Sequence, residues 1–268
     1  REARQRRVAA VLFLLTCTSV FGVRWLRWET AGPWEPTSMW NAWWFSASLM
    51  AILLSHELGH YAVARAHGFR LSLPWFLPAP VMVGTLGAVI RLDEPPRTRA
   101  GLLEMGAAGP LVGLAVVTVL AVGRLAVGEG STEGLELGSP LLWKVASLAV
   151  TGSVQPVYTG DPVAFAVWLG CLLTAMNLIP IGQLDGGHVV AALVPRWATV
   201  VGWAATGGLL VAGLWWPGWA VWVAVVHLMG GRQPLEARRD EGFPRGRPAW
   251  VAILTGLAWI AVVVPVPA

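Results

Sequence analysis

The stretch that decides the fold is Met39–Ala66, MWNAWWFSASLMAILLSHELGHYAVARA. Its centre is long and apolar enough for a buried or membrane helix, yet it carries His56, Glu57 and His60 in its second half. On a helix, His56 and His60 stand one turn apart and about 40° around the axis, so both imidazoles can reach one metal ion. Glu57 falls about 100° from His56 and borders the same face. Two neutral nitrogen ligands with a carboxylate beside them is the His-Glu-x-x-His arrangement of zinc sites, in which the carboxylate acts as base toward an attacking water that zinc activates. Ionisable groups inside an apolar run are costly unless they serve a site.

Outward from this helix, the rest of the chain is equally apolar. Of its 268 residues, 56% are hydrophobic and only 13% charged, with a mean hydropathy of +0.61. Soluble domains carry about 25% charged residues, so this chain lacks the polar material to cover a water-soluble globule. The composition predicts an all-α polytopic membrane protein of six to seven transmembrane helices, with lipid as its main surroundings. Apolar runs mark the spans at Val8–Val23, Met39–Ala66, Leu102–Val127, Pro162–Ile179, Trp197–Trp216, Gly218–Met229 and Ala249–Val264. The sixth is short for a span and could fuse with the fifth through Trp216-Pro217-Gly218. The seventeen tryptophans, clustered at Trp40, Trp43, Trp44 and at Trp215, Trp216, Trp219, fit interfacial belts.

Alternating spans from a cytoplasmic N-terminus leave only Arg24, Arg27, Arg124 and Lys144 of the nineteen basic residues outside. That bias follows the positive-inside rule and places the chain, multi-pass, in the cell membrane. The net charge of +4 is therefore read as orientation, and nucleic acid is not expected as a partner. The basic start, Arg1–Arg7, followed by an apolar run resembles a signal peptide, but no Ala-x-Ala site follows, so a retained helix is expected. Cys17 and Cys171 lie in apolar runs and read as inert thiols, without a disulfide or a cysteine zinc cluster. Three regions follow: an N-terminal helix and outer loop (1–38), a core holding both metal motifs (39–194), and C-terminal helices (195–268).

Three connections stand apart. Leu71–Leu92 holds Pro74, Pro78 and Pro80, which forbid a regular helix, and then β-branched residues with Gly84 and Gly87, which predict a bent hairpin against an ordinary loop. Gly128–Asp161 is an outer connection, Gly-rich and acidic, whose Leu141–Val150 can lie along the interface. Arg232–Pro248 is a charged cytoplasmic loop.

Catalytic zinc takes three protein ligands as a rule, so a third must come from elsewhere. His67 ends the second span and suits an interfacial role; His227 lies in the sixth run without an acidic neighbour and suits packing. Asp185 is the best candidate, with His188 a lesser one beside it. Its neighbours Gly186 and Gly187 permit close backbone approach. The depths agree: His56 lies roughly 26 Å along the helix from Met39, near the inner edge of a hydrocarbon core about 30 Å thick, and the fourth span delivers Asp185 to the same level.

The pair of motifs, His56-Glu-Leu-Gly-His60 and Asn177…Pro180…Leu184-Asp185-Gly186, resembles the site-2 protease family of intramembrane zinc metalloproteases, peptidase family M50. The resemblance implies a fold of membrane helices with a small β-hairpin, Zn2+ on His56, His60 and Asp185, and Glu57 as general base. It implies that Asn177 positions or polarises the substrate backbone. Gly84-Thr85-Leu86-Gly87-Ala-Val-Ile90 is similar to the family's membrane-associated hairpin, which implies substrate binding along Gly84, Thr85, Leu86 and Gly87 by strand addition. Ala108-Gly-Pro-Leu-Val-Gly113 resembles the small-residue start of the family's next core helix. The partner implied is a transmembrane protein or peptide in the lipid bilayer. Gly128–Asp161 is too short for the PDZ domain that many members carry between the motif-bearing spans. The alternative reading is a non-enzymatic metal transporter or sensor that uses the same His and Asp residues.

Overall fold

The computed structural model describes residues 2–26, 36–80, 83–92, 96–128, 130–229 and 246–262. The chain is mainly helical. The elements up to the second motif are α1 (Glu2–Leu26), α2 (Pro36–Ala66), β1 (Trp75–Pro78), β2 (Thr85–Val89), α3 (Arg99–Ala126), β3 (Glu136–Leu137), α4 (Leu141–Thr151), β4 (Val157–Tyr158) and α5 (Pro162–Asn177). Beyond it come α6 (Asp185–Leu193), α7 (Ala198–Ala212), α8 (Gly218–Met229) and α9 (Arg247–Val262). Every apolar run of the sequence has become a helix. The fifth and sixth runs are two helices separated by a turn. Most of the Arg232–Pro248 connection lies outside the described residues.

Among the described residues, Ala3–Leu26 and Arg99–Ala126 are long and apolar enough to cross a membrane. The 31 residues of α2 would extend roughly 46 Å, but its second half is interrupted by His56, Glu57 and His60. The 16, 15, 12 and 16 residues of α5, α7, α8 and α9 fall below the roughly 20 that a perpendicular span requires. Large apolar side chains nevertheless stand exposed along these helices, among them Val200, Trp203, Leu210, Val211, Val221, Trp250 and Leu257.

α3 is the central column. Every residue from Gly101 to Pro110 is buried, so the helix is enclosed on all sides for nearly three turns. Thr98 caps it by accepting from the Gly101 N–H at 3.0 Å. Its Leu103 and Met105 share a cluster with Ala64, Phe69, Val189 and Ala192, which joins α2 to α6. Around its second half pack Ile52, Val117, Ala121, Trp143, Val167 and Cys171, which join α2, α4 and α5. A third cluster, Val20, Phe45, Leu49, Phe76 and Leu169, fastens α1 and β1 to α2 and α5.

Leu71–Leu92 is a hairpin, as the proline and glycine pattern predicts. β1 and β2 pair antiparallel with Trp75 opposite Val89 and Phe76 opposite Ala88, and a bulge follows before Pro78 meets Thr85. Gly84, at φ 92°, lies so close to α1 that a Cβ would stand 2.4 Å from the Val20 Cα. The outer connection is more ordered than its composition indicates. β3 and β4 form a short antiparallel ladder, and α4 lies between them. Asp161 closes this region: Oδ1 accepts from the Val163 and Ala164 N–H groups at the start of α5, and Oδ2 accepts from Arg124 Nε at 2.6 Å. The Trp143 indole N–H donates to the Gln155 carbonyl and that of Trp168 to the Gly138 carbonyl.

Candidate metal centre

His56 and His60 stand one turn apart on α2 with ring centroids 4.8 Å apart. Asp185 is the first residue of α6, reached through a tight turn after α5. The turn depends on two glycines. A Cβ on Gly186 would stand 2.1 Å from the Leu178 carbonyl oxygen, and one on Gly187 2.3 Å from that of Gly182. Any larger residue would push Asp185 away from α2.

Three side chains thereby converge. His56 Nε2 lies 3.1 Å from His60 Nε2 and 3.1 Å from Asp185 Oδ2, and His60 Nε2 lies 3.2 Å from Asp185 Oδ1. Among the described residues they form the one cluster of three or more His, Cys, Asp or Glu side chains able to share a metal ion. Ligand atoms about 2.0–2.1 Å from a tetrahedral zinc stand about 3.3–3.4 Å from one another, close to the observed separations.

The hydrogen bonds around the cluster point the same way. His60 Nδ1 donates to the Met105 carbonyl at 2.7 Å, which leaves Nε2 as a bare acceptor. Asp185 Oδ2 is buried and has no hydrogen bond, although His56 Nε2 is near. Asn177, the last residue of α5, can donate its Nδ2 to His56 Nε2 at 3.4 Å. The lone pairs of His60 Nε2 and Asp185 Oδ1 thus face one another across 3.2 Å in a buried space, an arrangement that a cation or proton must compensate. Two imidazoles and one carboxylate form a donor set suited to zinc.

Glu57 is half-buried and interacts electrostatically with His56, His60 and Asp185. Among the described residues its carboxylate has no hydrogen-bond or ion-pair partner, so it is uncommitted beside the cluster. Thr85 holds the start of β2, donating to the Leu77 carbonyl at 3.1 Å and accepting from the Gly87 N–H at 3.0 Å. Among the described residues β1 is the one strand paired with β2, and Leu86 is exposed. The remaining histidines lie apart. His67 sits 3.0 Å from Glu104 Oε2, and His227 donates Nδ1–H to the Val223 carbonyl one turn back, beside Trp203. His188 is buried with Nδ1 unpartnered and packs against α3, outside the three-ligand group.

The sequence reading marked the small residues Ala108–Gly113 of α3 by resemblance but not Gly106, nor which side chains they meet. Gly106, Gly109 and Gly113 line one face of α3. A Cβ on Gly109 would meet His60 Nε2 at 2.1 Å, one on Gly113 would meet the His56 Cβ at 3.3 Å, and one on Gly106 would meet the Asp185 carbonyl oxygen at 3.3 Å. From the other side, a Cβ on Gly59 would meet the Ala108 carbonyl oxygen at 2.7 Å. The spacing of three and four residues in an apolar helix was the available signal.

Residues 44–204 match peptidase family M50. The probable zinc metalloprotease EGY2, chloroplastic, of Oryza sativa subsp. indica is 32% identical over 157 residues, 54% of this chain and 28% of the relative. The probable zinc metalloprotease EGY1, chloroplastic, of Arabidopsis thaliana is 30% identical over 231 residues, 80% of this chain and 41% of the relative. The chain thus spans well under half the length of these curated relatives. No solved structure matches it significantly.

Proposed function

The chain belongs to peptidase family M50, and on that premise we propose that it is an intramembrane zinc metalloprotease, hydrolysing peptide bonds of membrane-spanning or membrane-adjacent substrates. The observation that carries this reading is the meeting of His56, His60 and Asp185 within 3.1–3.2 Å, from helices far apart in the chain. These three residues would hold Zn2+. When bound, the ion acidifies water and polarises a carbonyl.

The chain's own residues supply the rest. Glu57, uncommitted beside the cluster, takes a proton from the attacking water and passes it to the leaving amine. Asn177, within reach of the site, orients the substrate backbone. A substrate helix has its carbonyls bonded and must unwind before cleavage; β2 offers an edge along Gly84, Thr85, Leu86 and Gly87 on which the extended chain can pair. The glycine face of α3 and the packing of α6 hold the ligands in place and keep bulk water from that side.

We place the chain in the membrane as a multi-pass protein of six to seven spans, with its N-terminus cytoplasmic in the cell membrane. The inward distribution of basic residues and the exposed apolar faces of α7, α8 and α9 support this placement. The testing experiment offers a panel of single-span substrates to the purified protein and to Glu57→Gln. Cleavage by the parent, with loss of cleavage and retained zinc in Glu57→Gln, is the expected outcome. Undiminished cleavage by the variant rejects Glu57 as the base. Metal flux in proteoliposomes without cleavage would replace the reading by transport.

A further inference from the structure

We propose that Arg99 is a positioning residue for the metal centre: it fixes the axial height of α6 on α3 and so sets where the Asp185 carboxylate stands. The proposal rests on the reading of His56, His60 and Asp185 as metal ligands.

Arg99 opens α3 and is buried, 7% exposed. Its Nε donates to the Ala192 carbonyl at 2.7 Å and its Nη2 to the Leu193 carbonyl at 2.8 Å. Both acceptors lie in the last turn of α6, where carbonyls have no N–H partner within the helix. A guanidinium at that end also meets the negative pole of the helix. A buried arginine that spends two donors on one helix end has a geometric role, because its fork fixes two bond directions at once.

The other end of α6 also touches α3. Gly106 lies against the Asp185 carbonyl and the His188 Cβ. The two helices therefore run antiparallel and share apolar contacts along their length, with Arg99 against Ala192 at one end and Gly106 against Asp185 at the other. The interval is seven residues on both, about 10.5 Å at 1.5 Å per residue. Apolar contacts let a nine-residue helix slide or tilt; two directional bonds from one guanidinium at its end fix its height. The contacts of Gly186 and Gly187 run to Leu178 and Gly182, in the same turn that carries α6, so they fix the turn and not its height on α3.

The same stripe of α3 reaches the other ligands. Arg99, Gly106 and Gly113 recur at intervals of seven residues, and Gly113 abuts His56 while Gly109 abuts His60. α3 is thus a common reference for the ligands of both motifs, and Arg99 is the point at which Asp185 is registered to it. Outer groups that orient metal ligands are worth about 10–100-fold in metal affinity.

The test compares the purified full-length chain in detergent with Arg99→Lys and Arg99→Met. The measurements are Zn2+ affinity by chelator competition, the visible spectrum after Co2+ loading, and the thermal midpoint. The expected result is Zn2+ affinity weakened about 10–100-fold in Arg99→Met, with a changed Co2+ spectrum and partial recovery of both in Arg99→Lys. Parental affinity and spectrum in both variants, even with a lowered midpoint, would overturn the proposal and leave Arg99 a purely structural residue. If Arg99→Met does not fold, Arg99→Lys decides alone: an altered spectrum supports the proposal and an unaltered one overturns it. A parent chain that binds neither Zn2+ nor Co2+ would remove the metal site itself and this proposal with it, a result distinct from a metal-binding parent with indifferent variants.

Discussion

Substituting Gly109 by alanine adds one methyl group at a crowded point beside the cluster. Its Cβ would stand 2.1 Å from His60 Nε2, 2.5 Å from Cδ2 and 2.6 Å from Cε1. Ordinary contact begins near 3.4 Å, so the ring or the helix must yield by about 1.3 Å in a tightly packed interior. The ring cannot yield alone, because Nδ1 is bonded to the Met105 carbonyl at 2.7 Å on the same helix as the new methyl. Helix separation is resisted as well, since it would open the close packing of α2 on α3 at Gly59 and Ala108. Metal–ligand distances tolerate about 0.2 Å, so a shift several times larger removes one ligand of three. The expected outcome is loss of zinc affinity of about 100-fold or more, loss of cleavage, and roughly 1–3 kcal/mol of stability from overpacking. Gly123→Ala is the control on the same helix: nothing lies within 4 Å of its added Cβ, and helix propensity favours alanine by about 1 kcal/mol. Zinc content of the purified proteins and cleavage of a single-span substrate are the assays. Gly109→Ala with parental zinc content and parental activity would refute the packing argument.

Three other outcomes follow from the same geometry. Gly84→Ala collides with the Val20 backbone at φ 92°, whereas Gly87→Ala meets only the strain of φ 90° with open space around it. Thermal unfolding in detergent should show the first losing more than the second, which should lose about 1 kcal/mol; equal losses would mean that the hairpin is not anchored on α1. Asp161→Ala removes the cap of α5 and strands Arg124, costing about 1–2 kcal/mol for the cap alone, while Asp161→Asn keeps an acceptor and should cost less in the same measurement. Chelation of metal should abolish cleavage and Zn2+ should restore it, with helix content unchanged by circular dichroism, since the enclosed α3 packs by apolar contacts; cleavage that survives complete metal removal would contradict the metalloprotease reading.

Much of this architecture was legible in the sequence because apolar runs, prolines and metal-spaced histidines are local signals. The runs around Met39–Ala66 and Leu102–Val127 became α2 and α3 with boundaries within a few residues, and the prolines of Leu71–Leu92 correctly excluded a helix. Asp185 was found as the third member of the cluster because it is an acidic residue out of place beside an apolar span. The short helix α6 was not legible: its Asp-Gly-Gly start has poor intrinsic helix propensity, and the partners of its last carbonyls come from Arg99, distant in the chain. Nor were β3 and β4, whose two-residue ladder has no periodicity to read. Gly106, and the partner of Gly109, stayed hidden for another reason. Glycines in an apolar helix announce close approach, but which partner approaches is a tertiary fact.

The three clustered side chains come from segments on either side of α3 in the chain, and one face of that helix is the surface against which both segments are set. During synthesis, therefore, the two histidines emerge and fold long before the carboxylate that completes their set exists. A nascent chain thus holds an incomplete cluster until the nine-residue α6 is made and meets α3.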